Sequence, residues 1–396
     1  MKSDRDYSLM KISVTKDNSM HSNLEKSWAD RIQPQPMFDV LERAVTQEQN
    51  GQYVARMEIG DTPGFENSEI HRLLQQFSAE PFRYSPSSGE TILKDAVHES
   101  QWPNFSEIDM SVTIAPANFL ITAAMASASS PGDVVYLPDP GFPSYVLAAN
   151  FLNLQVVYYN SLENLEYSIQ KSIDETSLFP KIVMVNNPSN PLGFAIEGIK
   201  LKGIMDFLEG KGAQLIFDET YINLVYDGTD PNIHSKTAIR IRSFSKEHCA
   251  PGLRIGYALA PKNLSKIMSN FVSLSISCAP KFIQLALAKY LKSSEAQVFT
   301  QNVKHEMKNR FKLLQENIPR DLFLIQPNST FYALIQVRDD VQAFEFLMNR
   351  NVSTCPGSKF GKQSSHSLRI SLAGNAQSFP KDLSMLTRGL DIYSKS

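Results

Sequence analysis

The chain has 396 residues, of which 42% are hydrophobic, and its 39 basic and 41 acidic residues give a formal net charge of −2. That length predicts two domains with sizeable cores. The nearly neutral charge argues against nucleic acid or an anionic membrane surface as a partner.

Other features narrow the class of protein further. No apolar stretch approaches the roughly 20 residues that span a bilayer, and the polar N-terminus has no hydrophobic signal core. The three cysteines are far apart and form no CxxC pair, which favours a reducing cytoplasm. The seven histidines show no ligand spacing, so no metal site is predicted.

Alternating helices and strands are predicted along most of the chain. Residues 1–35 are polar and unpatterned and are interpreted as an N-terminal arm. A helix is predicted at 36–52 and a turn at 58–64. The alternation that follows indicates a doubly wound sheet, with elements at 68–77, 89–100, 112–114, 119–129, 134–137, 144–151, 156–159, 181–186, 213–217 and 238–243. From residue 280 the pattern changes to long helices at 282–291 and 295–317, with short strands at 331–337 and 368–371.

Polar residues follow the C-terminal ends of successive apolar strands. Asn190 comes after the strand at 181–186, Asp218 ends the next strand, and Lys246 lies just beyond the third. Open α/β sheets bind ligands at this edge. A lysine among serine hydroxyls and an arginine has the groups for a Schiff base beside a bound phosphate. Taken singly, the three are more typical of a turn, a helix cap and a solvated lysine, but their order favours one site.

These motifs resemble those of the class I and II aminotransferases, which are fold-type I enzymes that use pyridoxal 5'-phosphate (PLP). The matched elements run in the family's order from about residue 36 to the end. They are Tyr84 to Leu93, Pro131 to Asp133, Pro138 to Tyr145, Asn190 to Gly193, Asp218 with Tyr221, Ser243, Ser245 and Lys246 with Arg254 and Gly256, Cys355 to Gly361, and Arg369 to Ala373.

The resemblance implies a fold and a domain organisation. The fold is α/β, with a mostly parallel central sheet in a large domain and a smaller α+β domain. The expected small domain combines residues 36–64 with 281–396, and the large PLP-binding domain spans 65–280. Residues 1–35 are the arm that precedes them.

The resemblance also implies a role for each matched residue. Lys246 is expected to hold PLP as a Schiff base and to move the proton, Asp218 to pair with the pyridine nitrogen, and Tyr221 to bond the phenolic oxygen. Substrate contacts are expected from Gly60, Asn190 and Arg369, with Arg369 on the α-carboxylate. Further PLP contacts are expected from Ala117, Asn118, Phe142, Asn190, Ser243, Ser245, Arg254 and Tyr84. The alternative for Phe142, which the resemblance makes the weaker one, is an aromatic of the core.

Two features qualify this assignment. Tyr84 is expected to reach the phosphate from a second subunit, which implies a homodimer with shared active sites. Pro116 stands where the family usually has a glycine in the phosphate-binding turn, and proline has no amide to donate. We therefore expect PLP to bind with a shifted or weakened phosphate contact.

Three functions remain open at this stage. The first is an aminotransferase acting on an α-amino acid and a 2-oxo acid in amino acid metabolism or biosynthesis. The second is a PLP-dependent lyase, decarboxylase or cyclase, such as a relative of aminocyclopropane-carboxylate synthase or a carbon–sulfur lyase. The third is a PLP-binding regulator, but residues 1–35 are too few for a DNA-binding module. The sequence does not identify the substrate side chain and leaves open an aromatic, a branched or an acidic one, or that of a biosynthetic intermediate.

Overall fold

The computed structural model describes residues 34–62, 65–81, 83–103, 109–162, 164–233 and 235–396, so nearly all of the expected N-terminal arm lies outside them. In the described chain the helices are α1 Phe38–Gln49, α2 Ser68–Phe77, α3 Thr91–Gln101, α4 Ala117–Ala128, α5 Ser144–Phe151, α6 Leu165–Thr176, α7 Lys202–Gly210, α8 Lys262–Ile276, α9 Lys281–Leu291, α10 Ser294–Asn317, α11 Asp340–Met348 and α12 Phe379–Lys395.

The strands alternate with these helices, as the sequence predicted, although α6, α7, α8, α11 and α12 were not among the predicted elements. They are β1 Ala55–Arg56, β2 Met110–Ala115, β3 Val134–Asp139, β4 Gln155–Asn160, β5 Ile182–Asn186, β6 Gln214–Asp218, β7 Ile239–Ser243, β8 Gly256–Pro261, β9 Tyr332–Gln336, β10 Val352–Ser353, β11 Cys355–Pro356 and β12 Ser367–Ser371.

A seven-stranded sheet in the order β2-β8-β7-β6-β5-β3-β4 is the centre of the larger unit. Only β8 runs antiparallel to its neighbours β2 and β7, and the other pairings are parallel. Every residue of β7 is buried, which fits a parallel strand covered on both faces. One face carries α4, α5 and α8, and the other carries α6 and α7. The α/β class and the mostly parallel sheet are confirmed.

The register of this sheet brings the polar strand ends together. Asn186, the last residue of β5, is directly opposite Asp218, the last residue of β6. Strand β7 pairs with Asp218 through Ile241 and ends two residues later at Ser243, three residues before Lys246. Because parallel neighbours end at the same edge, residues about 30 apart in sequence meet there.

A smaller sheet lies on the other side of this edge. Its strands run in the antiparallel order β11-β12-β9, and a separate parallel pair joins β1 to β10. Helices α1, α10, α11 and α12 supply most of the remaining side chains of its buried core. The middle strand, β12, carries Arg369 opposite Leu334 on β9 and Cys355 on β11.

Helix α9 packs differently from the sequence expectation. Its Leu287 and Tyr290 are buried with Leu73 of α2, Leu93 of α3 and Tyr257 of β8. The change to long helices near residue 280 suggested that α9 joins the smaller unit, but its apolar face completes the core of the larger one. Helical periodicity shows that a face is buried and not which core buries it. The domain boundaries themselves stay a prediction.

Candidate active site

A cavity of about 580 Å³ lies at the C-terminal edge of the large sheet, against the small one. Its wall brings together nearly all of the site residues that the sequence singled out, namely Gly60, Ala117, Asn118, Phe142, Asn190, Asp218, Tyr221, Ser243, Ser245, Lys246, Arg254 and Arg369. Tyr84 is the exception. Its side chain is 88% exposed, and it does not line the cavity.

Lys246 reaches across the cavity to the loop that follows β1. Its Nζ donates a 2.8 Å hydrogen bond to the carbonyl oxygen of Gly60 and lies 5.7 Å from the ring centre of Phe331. Gly60 admits no side chain, because a Cβ there would lie 2.0 Å from the hydroxyl of Tyr332. The glycine thus lets the backbone approach both the lysine and the tyrosine.

Asp218 is a buried carboxylate held by neutral donors. Oδ2 accepts a 2.7 Å hydrogen bond from the Tyr145 hydroxyl. Oδ1 accepts from the backbone N–H and the hydroxyl of Thr220, at 3.0 and 2.5 Å. Burial raises the pKa of Asp218 above its usual range, and the hydrogen bonds from Thr220 and Tyr145 offset this only in part. Among the described residues, none forms an ion pair with this carboxylate.

Arg369 is a buried guanidinium, a charge of the opposite sign that also has no ion-pair partner among the described residues. It is 1% exposed, lies between the rings of Tyr332 and Phe360 at 4.2 and 4.4 Å, and donates to the carbonyl oxygen of Glu58. It also donates a 3.0 Å hydrogen bond to Asn190 Oδ1. Its Nε is buried without a partner. Within the described chain no carboxylate lies within ion-pair distance of it.

Tyr221 and Asn190 connect these groups. The Tyr221 hydroxyl lies 3.4 Å from that of Tyr332, and burial raises the pKa of Tyr221 well above its usual range. The Asn190 backbone N–H donates a 2.7 Å hydrogen bond to Asn186 Oδ1 at the end of β5. This bond fixes the turn that carries the Asn190 amide to Arg369.

Another part of the wall has the donors that an anion needs. The Ser243 hydroxyl donates to Ser245 Oγ at 2.9 Å, and both serines are buried. Arg254 lines the cavity in a left-handed conformation (φ 55°). Helix α4 begins at Ala117, and its N-terminus lines the cavity through Ala117 and Asn118. Helix N-termini, hydroxyls and guanidinium groups together favour phosphate.

Pro116 immediately precedes that helix. Its carbonyl oxygen accepts from the N–H groups of Phe119 and Leu120, at 2.9 and 3.0 Å. The proline therefore caps the helix, and the amides of Ala117 and Asn118 come after it. Close packing at this point is provided by Gly256, since a Cβ there would lie 2.8 Å from the Ala117 nitrogen.

Several wall residues were missed by the sequence analysis, including Gln35, Ile59, Asp61, Tyr145, Thr220 and Tyr332. Tyr145 ends the Pro138 to Tyr145 element, but its helical neighbours gave no sign that its hydroxyl reaches Asp218. Tyr332 begins a strand. The pattern of apolar and polar residues along that strand does not distinguish a tyrosine that faces a cavity from one that faces a core.

Comparison with known proteins identifies the family. The model of the family "Aminotransferase class I and II" matches residues 108–379. The chain belongs to this family. It is a PLP-dependent aminotransferase of fold type I, as its motifs and sheet topology suggested.

The relatives and solved structures agree along most of the chain. The probable aspartate aminotransferase of Methanocaldococcus jannaschii is 25% identical over 76% of this chain and 84% of its own. The probable aspartate/prephenate aminotransferase of Aquifex aeolicus is 25% identical over 93% and 100%. The crystal structure of an aminotransferase from Mycobacterium tuberculosis superposes with a TM-score of 0.84 at 22% identity, covering 94% of this chain and all of that one.

The residues present fit PLP. The cavity offers a buried anion without a cation at Asp218, an amine at Lys246 and a separate set of phosphate donors. By contrast, no group of His, Cys, Asp and Glu in the described chain could hold a metal ion. Nor is any helix of the described part long and apolar enough to cross a membrane.

Proposed function

We propose that this cavity transfers an amino group between an α-amino acid and a 2-oxo acid, with Lys246, Asp218 and Arg369 as its central residues. One observation carries the proposal: Asp218 and Arg369 are buried opposite charges whose counter-charges the described chain does not supply. A buried charge is costly unless it is paired. A cationic ring nitrogen at Asp218 and a carboxylate at Arg369 provide the missing partners.

Three groups of residues would hold the cofactor. Asp218 would place a negative charge beside the ring nitrogen, while Ser243, Ser245, Arg254 and the N-terminus of α4 would bind the phosphate. Lys246 would supply the amine that attaches PLP. Bound PLP supplies an electron sink that makes the substrate α-hydrogen acidic. Phe142, whose ring lies edge-on to that of Tyr145 with 5.7 Å between ring centres, supplies apolar contact.

The substrate is oriented from the small-domain side. Arg369 binds the α-carboxylate with two parallel hydrogen bonds, which fixes the α-carbon relative to Lys246. Lys246 is the one lysine among the described residues of the wall. Once the substrate amine displaces it from PLP, its freed Nζ would be the base that takes the proton from the substrate α-carbon and delivers it to the cofactor. Tyr221 and Asn190 hold the ring oxygen and Arg369 in place.

Transamination is favoured over the lyase, decarboxylase and cyclase alternative. Those reactions use the same lysine and aspartate, so the site alone does not separate them. The relatives reported above are all named aminotransferases, over three quarters or more of this chain. This agreement favours amino-group transfer.

A labelling experiment tests the assignment of Lys246. The protein incubated with PLP and reduced with borohydride should carry the label on the peptide that contains Lys246. A Lys246→Ala variant should lose the label and the conversion of amino acids to 2-oxo acids. Lys262→Ala, an exposed lysine at the start of α8, is the matched control and should keep both. Label on another lysine contradicts the proposal.

We also propose a homodimer with shared active sites. Tyr84 is 88% exposed and lies off the wall of its own chain's cavity, as expected for a side chain that serves a partner subunit. Mixing Lys246→Ala and Tyr84→Ala chains tests this. If Tyr84 acts across the interface, mixed dimers have one intact site, and about a quarter of the wild-type activity should return. If it acts within its own chain, or if the protein is a monomer, none should return.

The state of the cysteines supports a reducing compartment, and we propose the cytoplasm. Cys249, Cys278 and Cys355 are all free, and burial raises the pKa of Cys249 and Cys355 to about 11, which keeps both thiols protonated and unreactive. Recovery of the protein from an oxidising compartment with a disulfide contradicts this.

A further inference from the structure

Two buried polar residues that the proposed function does not use follow Lys246 directly. Glu247 and His248 are each 3% exposed, and His248 Nε2 lies 3.2 Å from Glu247 Oε1, within ion-pair distance. Burial opposes ionisation of Glu247, but His248, Asn223 and Arg242 outweigh it and hold the pKa of that carboxyl below its usual range. The lysine of the site is therefore followed by a buried carboxylate that stays ionised at neutral pH.

Glu247 joins the loop of Lys246 to the turn that carries Asp218. Its Oε2 accepts a hydrogen bond from Asn223 Nδ2. Asn223 comes two residues after Tyr221, in the turn that follows β6. This one contact therefore connects the segment that supplies the amine of the site with the segment that supplies its buried anion.

His248 joins the same loop to two helices of the larger unit. Its Nδ1 lies 3.2 Å from the hydroxyl of Tyr290 on α9, and its carbonyl oxygen accepts a 3.3 Å hydrogen bond from Asn67 Nδ2. Asn67 also donates to the Tyr290 hydroxyl at 2.9 Å, and its Oδ1 caps α2 by accepting from the N–H of Ile70. We call these five residues the anchoring network: Asn67, Asn223, Glu247, His248 and Tyr290.

The anchoring network holds the loop from the side of the core. Phe244, two residues before Lys246, is buried in the same core as Tyr290, and its ring centre lies 5.2 Å from that of His248. The neighbours of Lys246 are thus fixed in the core, while Lys246 itself lines the cavity. A buried ion pair adds little net stability over apolar side chains of similar size, but a buried polar network fixes one arrangement of its members. Its contribution is therefore to position.

We propose that Glu247 and His248 are positioning residues, which fix the backbone of Lys246 so that its Nζ reaches the cofactor and the substrate α-carbon. Neither residue lines the cavity, so both act through Lys246. A misplacement of about 1 Å at a reacting group costs about 100-fold in rate, which gives a network of buried contacts behind the lysine its effect. This inference rests on the proposed function, because it concerns the amine of Lys246.

Two forms of the cofactor separate position from general damage. PLP attaches through its aldehyde to the lysine amine with loss of water, whereas pyridoxamine 5'-phosphate has an amine at that carbon and binds without a bond to lysine. In cofactor-free Glu247→Ala we expect the rate constant for PLP attachment, followed by borohydride trapping, to fall about tenfold, while the Kd of pyridoxamine 5'-phosphate changes less than about twofold. Glu247→Gln keeps an acceptor for Asn223 and should recover most of the rate.

The outcomes separate this inference from the proposed function. Equal losses for PLP attachment and for pyridoxamine 5'-phosphate binding in Glu247→Ala overturn the inference, because they show damage to the whole cavity. An unchanged rate of PLP attachment overturns it too, and leaves transamination intact. If PLP does not attach to Lys246 in the wild-type protein, the proposed function fails as well.

Tyr290→Phe tests the anchoring network from its far end with a milder change than Glu247→Ala. It removes a hydroxyl that two other members of the network contact and should slow PLP attachment about threefold. Tyr136→Phe is the matched control, because Tyr136 is equally buried and its hydroxyl also has two partners, neither of them in the network. That variant should keep the wild-type rate. An unchanged rate in Tyr290→Phe, or equal slowing in both variants, contradicts the proposal.

A double variant shows whether Glu247 acts through the lysine. Without the amine the anchoring network has nothing to position, so adding Glu247→Ala to Lys246→Ala should change the Kd of PLP by less than about twofold. A further loss of PLP affinity in the double variant shows that Glu247 acts on the cofactor by another route, which contradicts the proposal.

Discussion

Two sites contain buried arginines, but only one of them has a carboxylate of the chain as the partner of its guanidinium groups. Just behind Asp218, Glu219 forms ion pairs with Arg240 and Arg242, at 2.7 and 2.8 Å, and all three side chains are buried. Burial opposes ionisation of Glu219, but the two arginines outweigh it and hold the pKa of that carboxyl below its usual range. In the cavity, Arg369 is equally buried but has carbonyl oxygens and aromatic rings in place of a carboxylate.

The difference separates structure from function. The carboxylate of Glu219 is part of the chain, so both of its ion pairs are already formed in the folded protein. Loss of this carboxylate should therefore reduce stability. For Arg369 and for Asp218, the counter-charge has to come from a ligand. Their loss should therefore reduce activity and leave the fold largely intact.

The largest expected effect is on stability. Glu219→Ala leaves two buried guanidinium groups without their carboxylate and should lower the free energy of unfolding by about 3–5 kcal/mol. Glu306→Ala is the control, because Glu306 pairs with buried Arg310 from a partly exposed position and Arg310 keeps the carbonyl oxygens of Leu372 and Gly374. That variant should lose about 1 kcal/mol or less. Equal losses of the free energy of unfolding for Glu219→Ala and Glu306→Ala in urea denaturation would contradict the structural role given to Glu219.

The next effect concerns Asp218. Asp218→Asn should bind PLP through Lys246 and the phosphate contacts but lose at least about 100-fold in kcat, because the charge beside the ring nitrogen is gone. Near wild-type turnover with full cofactor content would make Asp218 structural.

Asp218→Asn should not lower stability, in contrast to its effect on kcat. In the cofactor-free protein the pKa of Asp218 is raised above its unfolded value by burial, so the folded state binds the extra proton and stability falls as pH rises through that raised pKa. Asn carries no charge at any pH. Cofactor-free Asp218→Asn should therefore unfold at neutral pH at a urea concentration no lower than wild type, and the wild type should regain stability on acidification in this window. A variant that is less stable at neutral pH contradicts the interpretation.

Arg369 should show the same separation of activity from stability. Arg369→Ala should lower kcat/KM for α-amino acids by about 100-fold or more, from the loss of two charged hydrogen bonds worth about 1.5–3 kcal/mol each. Lysine should restore little, because it cannot bind both carboxylate oxygens in parallel. PLP content is the internal control and should not change. An equal loss of kcat/KM for amines that lack a carboxylate would show that Arg369 does not act through the substrate α-carboxylate.

The smallest effect is expected at Tyr145. Tyr145→Phe removes one hydrogen bond from Asp218, a bond that lowers the pKa of that carboxyl. Without this bond the pKa of Asp218 should be higher than in the wild-type enzyme under the same conditions, so the acidic limb of the pH–kcat profile should move to higher pH while kcat at its plateau falls only a few-fold. Phe142→Leu, which keeps that bond, should leave the acidic limb in place. An unchanged profile in Tyr145→Phe would separate the tyrosine from catalysis.

The cofactor side of the cavity was largely predictable from the sequence. Apolar runs predict strands, their alternation with helices predicts a parallel sheet, and parallel strands end at a common edge. Asn190, Asp218 and Lys246 each follow such a run, so local pattern was enough to place them together. Pro116 is the N-cap residue of α4, which begins at Ala117, and the weakened phosphate contact expected from this proline stays a prediction.

The substrate side was decided by the tertiary structure. Arg369 meets Asn190 and Glu58 across 179 and 311 residues of chain, and Lys359 holds Pro36 across 323. Periodicity reports which face of an element is buried, but it carries no information about which distant element covers that face. For the same reason the sequence indicated the cofactor and the reaction, while the core that α9 joins was decided only by the tertiary structure.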